Sequence, residues 1–399
     1  MRLPLAIAAL LLLPGSACAQ PGIAAAQPSG TLTWEIEGSG EPGRVQLEIS
    51  RRSGNSRWQI GHTVDAASLE GLSPAELAGD GGPVRFRIAR DAGTLDCAGV
   101  ARRGRGTGDC SFAPDPGFAA ALAERGIGRP TADEQFSMAM HDIGLAYVDE
   151  VRRQRYDTPT AAELAQAGDH GVTLDYLRGM AGHGYRAGRL SALIRMRDHG
   201  VTPDYIAALA RHDVRDISPD DIVRLRDHGV LAEFVGELRQ LGYRRLAVDE
   251  MIQLRDHGVS ADYIRTLAQN GIRDIPTAEL TRMRDHGVSP DFVVALRRAG
   301  YSFGTDELVR MRDHGVSADF VVALRTAGYD FDPAEIVRMR DHGVTISYVG
   351  ELSRLGYSRL AAEDIVRLRI HGVTPDFIRR ANAAGQRSPE ELVRMRIGG

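Results

Sequence analysis

The chain contains no lysine, and all 49 of its basic residues are arginine. Walker-A phosphate loops, Ser-x-x-Lys acylases and Schiff-base enzymes each need a lysine amine, so these chemistries are excluded. The net charge of −4 favours neither nucleic acid nor an anionic membrane as a partner of the whole surface. Beyond Gln20 no apolar run approaches the roughly 18 residues of a membrane-spanning helix, so no integral membrane segment is expected in the mature chain.

The first 19 residues have the pattern of a secretory signal peptide. Arg2 precedes an apolar run over 5–13, and Ala17-Cys18-Ala19 fits a cleavage site. We therefore expect export, to the periplasm of a Gram-negative bacterium, with a mature chain that begins at Gln20 and a linker over 20–30. A lipid anchor on Cys18 is the alternative.

Residues 31–113 alternate apolar and polar side chains with period two, as in the run Leu32, Trp34 and Ile36. Clusters of Gly, Pro, Asn and Ser separate such runs, which predicts a small antiparallel β domain, either a sheet or a sandwich. Its last two predicted strands, 95–100 and 107–112, flank an Arg-Gly turn at 102–106.

Cysteine is scarce, and signal cleavage leaves only Cys97 and Cys110, in an oxidising compartment. Folding the last hairpin about its turn sets these two residues opposite each other, so a cross-strand disulfide is predicted. Two buried thiols that act as small apolar residues are the alternative.

A histidine motif recurs at a fixed interval through the rest of the chain. Asp-His-Gly occurs seven times, at intervals of 29 or 28 residues, and Ile-His-Gly follows once. The histidines are His170, His199, His228, His257, His286, His314, His342 and His371. Such a period indicates stacked repeats, so residues 115–399 are predicted to form an α-solenoid of about nine helix-pair repeats with half-repeat caps. The expected fold class is α+β, mostly α.

Each repeat carries the punctuation of two short helices. In the first helix of one repeat, Ser218 is a suitable N-cap, Pro219 suits the first turn and Gly229 ends the helix. In another repeat Ser289 caps the second helix and Gly300 ends it. Helices of about ten residues are marginal alone, so their apolar faces must stack on neighbouring repeats.

The histidines are interpreted as a structural ladder. Each lies in the last helical turn, where it can bond terminal carbonyls and interact with the negative end of the helix dipole. A pH-responsive ladder and a metal site are the alternatives. Equivalent residues of adjacent repeats lie roughly 10 Å apart, too far to share an ion, so no metal, cofactor or catalytic residue is assigned.

The arginines near the first-helix C-termini have a comparable interpretation. They complement the helix dipole and can pair with acidic residues three positions earlier. The alternative is a row that holds an acidic partner, and its candidate residues are Arg226, Arg284, Arg312 and Arg340.

Two further motifs resemble active-site patterns. Gly300-Tyr301-Ser302-Phe303-Gly304 matches the serine-hydrolase nucleophile elbow, which requires a preceding strand, but it falls at a repeat junction. Gly104-Arg105-Gly106-Thr107-Gly108 is glycine-rich, but no helix begins after it to bind phosphate, so a hairpin turn is predicted.

The repeat phrase is clearest at 282–292, Arg-Met-Arg-Asp-His-Gly-Val-Ser-Pro-Asp-Phe, and at 368–378, Leu-Arg-Ile-His-Gly-Val-Thr-Pro-Asp-Phe-Ile. It resembles a repeat of exported, mostly uncharacterised bacterial proteins, often preceded by a small β domain, and is similar to repeats downstream of antibiotic-sensor membrane zinc metallopeptidases. The resemblance implies only the accessory region, because the chain has no His-Glu-x-x-His motif and no transmembrane bundle.

The sequence thus favours an exported, non-enzymatic scaffold that binds a protein or peptide partner of the cell envelope through its helical repeats. An accessory sensor component of an envelope-stress or antibiotic response is the first alternative, and an envelope hydrolase is the second. The sequence indicates neither the partner nor the oligomeric state.

Overall fold

The computed structural model describes residues 30–41, 43–53 and 56–398. The predicted signal peptide, Cys18 and nearly all of the predicted linker lie outside these described residues. The chain divides into two compact units, one reaching Arg178 and including Gly188–Ile194, the other formed by Gly179–Ala187 and the residues from Arg195 onward.

The first unit begins with one six-stranded antiparallel sheet, so the sheet and not the sandwich is correct. Its strand order is β3-β2-β1-β6-β5-β4. The strands are β1 Thr31–Gly38, β2 Arg44–Ser53, β3 Ser56–Asp65, β4 Gly82–Arg90, β5 Gly93–Arg102 and β6 Arg105–Pro114.

The period-two pattern forms this sheet because alternate side chains turn to one face. Leu32, Trp34 and Ile36 are all buried, and the indole of Trp34 crosses β5 and β6 where glycines make room. A Cβ atom at Gly99 would lie 2.7 Å from the indole, and one at Gly108 would lie 2.8 Å from it. The glycine-rich stretch 104–108 therefore supplies the hairpin turn and the space for a core tryptophan.

The helices that follow pack against the sheet within the first unit. Phe136 of α3 contacts Phe112 and Trp58, with ring centroids 5.4 and 5.5 Å apart. The side-chain amide of Gln135 donates to the carbonyls of Ala92 and Asp115, each at 2.9 Å. The helices before the second unit are α1 Pro74–Ala78, α2 Pro116–Glu124, α3 Ala132–Met140, α4 Leu145–Arg153 and α5 Ala161–Asp169. Two helices contribute residues to both units, α6 Leu174–Gly182 and α7 Leu190–Asp198.

The second unit is an array of helix pairs in two rows. The first helices of the repeats pack on one another, and so do the second helices, because the contacts join each helix to the one two places further along. The first row is α9 Pro219–Asp227, α11 Val248–Asp256, α13 Thr277–Asp285, α15 Thr305–Asp313, α17 Pro333–Asp341, α19 Ala362–Ile370 and α21 Pro389–Ile397. The second row is α8 Pro203–Arg211, α10 Ala232–Gln240, α12 Ala261–Gln269, α14 Pro290–Arg298, α16 Ala318–Thr326, α18 Ile346–Arg354 and α20 Pro375–Ala381.

The predicted helix ends are confirmed. The Ser218 and Ser289 hydroxyls accept bonds from the third amide of their helices, at 3.1 and 3.2 Å. Gly229 and Gly300 have φ values of 66° and 86°, the left-handed conformation that ends a helix. From α3 to α20 the helices form nine pairs, with α2 before them and α21 after them.

Candidate functional site

Each of the eight recurrent histidines follows the last residue of its helix and precedes a glycine with positive φ. In five of them Nδ1 lies 2.6–2.9 Å from the aspartate that ends the next first helix, and the side chains of both partners are 39–45% exposed. The pairs are His199–Asp227, His228–Asp256, His257–Asp285, His286–Asp313 and His314–Asp341. The expectation that the ring bonds its own helix carbonyls is wrong for these five, since each ring reaches across to the next repeat.

The pairing stops towards the C-terminus. His342 and His371 occupy the same turn position as the other histidines, but the aspartate positions of the following helices hold Ile370 and Ile397. These two isoleucines are 56% and 66% exposed. His170 ends α5 in the first unit. The ladder is therefore built from repeat-to-repeat pairs and is absent where an isoleucine takes the place of the acid.

The four candidate partner-binding arginines lie over aromatic rings. The guanidinium carbons are 5.2–5.9 Å from ring centroids of the preceding second helix, in the pairs Arg226–Tyr205, Arg284–Tyr263, Arg312–Phe292 and Arg340–Phe320. Arg369 and Arg396 make the same contact with Tyr348 and Phe377. In Arg312 and Arg340 the Nε–H also donates to the glycine carbonyl of the preceding repeat, at 3.0 and 3.1 Å. These arginines thus fasten one repeat to the next.

The tyrosines below some of these arginines provide a third link. The hydroxyl of Tyr205 donates to the carbonyl of Val230 at 2.7 Å, and that of Tyr263 donates to Val288 at 2.9 Å. Burial raises the pKa of each of these two tyrosines to about 12. The recurrent His, Arg and Tyr side chains therefore join repeats within the second unit.

The other chemistry-bearing motifs lie in structural positions. Cys97 and Cys110 are directly opposite in the β5–β6 register, with Cα atoms 4.1 Å apart, and are joined by a disulfide. The Gly300–Gly304 stretch connects α14 to α15, so a helix and not a strand precedes it. Among the described residues no group of three His, Cys, Asp or Glu side chains is placed to hold a metal ion.

The repeats differ most at the junction between a second helix and the next first helix. In the 29-residue repeat at 243–246, Tyr243 is followed by two residues, Arg244 and Arg245, before the apolar Leu246 that precedes the helix cap. The 28-residue repeats hold one such residue, as in Tyr301-Ser302-Phe303, and there the two rings stack with centroids 5.1 Å apart. Open space lies beside two of these longer junctions, at 214–217 and 243–246.

Two adjacent grooves lie at these longer junctions. We call them groove A, of about 740 Å³, between the turns at 182–186 and 214–218, and groove B, of about 610 Å³, between the turns at 213–217 and 243–248. Val214, Arg215 and Ile217 line both grooves and so separate them. The floors are apolar, with buried Leu209 in groove A and buried Met251 in groove B.

Arginine dominates the rims of both grooves. The lining of the pair includes five arginines and two aspartates, whereas the chain as a whole has a net charge of −4. Arg239 is paired with Asp213 at 2.7 Å, but Arg186, Arg244 and Arg245 have no carboxylate partner among the described residues and are exposed. The five arginines are Arg186, Arg215, Arg239, Arg244 and Arg245.

These grooves were not predicted from the sequence, although a signal was present. The change of period from 29 to 28 residues marks the repeats that lack the extra junction residue.

No protein-family model matches the chain, and no curated protein matches it significantly. Within the described part of the chain, no helix is both long enough and apolar enough to span a membrane.

Proposed function

We propose that the chain is an exported, non-enzymatic scaffold that binds a protein or peptide partner along its helical-repeat surface. One observation carries the proposal: the recurrent side chains couple repeats to each other, whereas the side chains that vary between repeats line open, arginine-rimmed grooves. Repeat arrays offer extended surfaces of this kind for binding. The signal-peptide pattern supports a location in the cell envelope.

Chemical cross-linking in the native envelope, followed by mass spectrometry, tests this proposal. We expect repeated cross-links from residues of the helical repeats to one polypeptide, and recovery of the same cross-links when that polypeptide is captured instead. Cross-links to a membrane metallopeptidase would identify the chain as an accessory sensor component. Turnover of a peptide or cell-wall substrate by the purified chain would contradict a non-enzymatic role.

A further inference from the structure

We infer that grooves A and B together bind an acidic peptide in extended conformation, with one apolar side chain in each groove. This inference rests on the proposed function and specifies the chemistry of the partner. It commits to a peptide because the two grooves combine apolar floors with rims on which Arg186, Arg244 and Arg245 have no ion pair among the described residues.

The apolar floors of both grooves can accept aliphatic side chains of a peptide. Groove A is floored by Ile206, Leu209 and Ile222, all 2–5% exposed, and groove B by Val235 and Met251, at 3% and 2%. Half-buried side chains above them, Ile217 in both grooves and Leu246 in groove B, remain partly open to solvent. An aliphatic side chain that enters such a groove removes apolar surface from water on both partners.

The arginines on the rims of the grooves can pair with the carboxylates of a peptide. Arg215 donates through Nε to the carbonyl of Ala210 at 3.3 Å, and its other guanidinium N–H groups make no hydrogen bond with the described residues. Arg244 and Arg245 follow on the next turn, exposed and without ion pairs in the described part of the chain. Arginine presents its N–H groups in a fork that matches a carboxylate, so acidic side chains of a peptide can pair with this rim.

The spacing of the two grooves matches the distance between two side chains of one extended peptide. They lie one repeat apart, which corresponds to roughly 8–10 Å for packed helices. A peptide in the extended polyproline II conformation rises about 3.1 Å per residue with three residues per turn, so two anchors three residues apart lie on one face, roughly 9 Å apart, and reach both grooves. A nucleic acid satisfies the rim charges but offers no aliphatic group for the floors, which is why a peptide is favoured.

Fluorescence anisotropy with synthetic peptides and the full exported chain tests the inference. The probe is a labelled peptide that repeats Asp-Leu-Glu, so that its leucines lie three residues apart. One matched peptide replaces Asp and Glu by Asn and Gln, and another replaces Leu by Ser. We expect both changes to weaken binding at least about tenfold, which corresponds to roughly 1.4 kcal/mol. Equal binding of all three peptides, or tighter binding of a single-stranded oligonucleotide, would overturn the inference.

The chain offers its own groove-filled variant. Replacing residues 244–247 by Ser-Phe-Gly, the residues at 302–304, converts groove B to the 28-residue junction, which already exists in this protein. We expect this variant and the double variant Arg244→Glu, Arg245→Glu to lose at least about tenfold in peptide affinity. Arg298→Glu, an exposed arginine outside both grooves, is the matched control and should bind as the parent does. Circular dichroism establishes that each variant is folded.

Failure of this inference is distinguishable from failure of the proposed function. If the acidic peptide does not bind but envelope cross-links map to another surface of the repeats, the groove assignment is wrong and the scaffold proposal stands. If neither the peptide nor an envelope partner is found, both are wrong.

Discussion

Arg312, two positions before His314, has more contacts than its helix-terminal position alone requires. Arg312 lies 5.2 Å from the ring centroid of Phe292 and donates at 3.0 Å to the carbonyls of both Gly287 and Val316. Arg310 lies two residues earlier on the same helix. It is exposed and has no ion pair within the described residues. Both arginines therefore interact with the dipole of the same helix, but only Arg312 contacts the neighbouring repeat. Arg310 is thus a matched control for Arg312.

We predict that Arg312→Ala lowers the free energy of unfolding by about 1–3 kcal/mol, because it removes a cation–π contact and two charge-assisted hydrogen bonds. Arg310→Ala should change it by less than about 0.5 kcal/mol, as expected for an exposed site. Urea unfolding of both variants measures the difference. Equal effects would show that only the helix dipole matters at these positions.

The histidine ladder allows a test by removal and by addition. His257 and Asp285, 2.7 Å apart and both about 40% exposed, should show a coupling free energy of about 0.2–1 kcal/mol in a double-mutant cycle of His257→Gln with Asp285→Asn. Ile370→Asp should create a similar coupling with His342, because it restores the missing acid. Zero coupling in both cycles would contradict a structural role for the ladder. Stoichiometric zinc binding by the parent in calorimetry, abolished by His257→Gln, would instead make it a metal site.

Single helices and strands show how side chains connect neighbouring elements. Glu307 and Glu335 accept hydrogen bonds from the N-cap amides of their own helices, at 2.7 and 3.0 Å, and form no ion pair with the arginines three residues later among the described residues. In the first unit, buried Glu150 of α4 accepts from Arg153 at 3.0 Å and lies 3.7 Å from Arg178 of α6. These carboxylates hold helix ends and join helices, so their charge contributes to the fold.

The ion pairs of Glu150 should make the stability of the fold depend on pH. The hydrogen bond from Arg153 is the main cause that lowers the pKa of Glu150 below its ordinary value of 4.5. A lowered folded-state pKa stabilises the fold above the unfolded pKa, and this stability is lost as the pH falls through the folded pKa. Glu150→Gln should therefore cost about 1–3 kcal/mol at pH 7 and progressively less at acidic pH. Thermal melting of Glu150→Gln and of the parent at pH 7 and at acidic pH tests this prediction, with exposed Glu124→Gln as the control. A loss of stability that does not change with pH would contradict the prediction.

The β5–β6 hairpin predicts that Cys97 and Cys110 form a disulfide under oxidising conditions. The loop that the bond closes is short, with a sequence separation of 13, so the bond should add about 2–3 kcal/mol to the stability of the β domain. Intact mass spectrometry without reduction should show no free thiols on Cys97 and Cys110. Recovery of both free thiols after folding under oxidising conditions would contradict the prediction. Unfolding with and without reductant measures the contribution of the bond to the free energy of unfolding.

At the scale of the whole molecule, the second unit depends on contacts between neighbouring repeats. Its helices pack on the helix two places away, and the His–Asp and Arg–aromatic links all join adjacent repeats. The stability of such an array is approximately a sum over repeats and their interfaces. Removal of one complete period should therefore preserve the rest of the array.

We predict that deletion of Ile217–Arg245 leaves a folded, shorter array. The deletion removes α9 and α10 and joins Asp216 to Leu246, two residues that occupy consecutive positions of the same junction. Helical circular dichroism and a cooperative thermal transition should persist. Collapse of the whole chain would contradict the nearest-neighbour model. A chain that ends at Leu95, by contrast, lacks β6 and should lose the sheet, because β1 pairs with β6.

The sequence by itself determined the period, the helix pairs, the caps and the hairpin that brings Cys97 to Cys110. Each of these depends on residues within about one repeat, where periodicity, capping and turn chemistry operate. Only the tertiary structure decided that His257 bonds Asp285, that Arg312 covers Phe292 and that grooves open beside the junctions at 214–217 and 243–246. These features depend on the rotation and distance between successive repeats, which arise from packing of whole helices and are not contained in any local pattern.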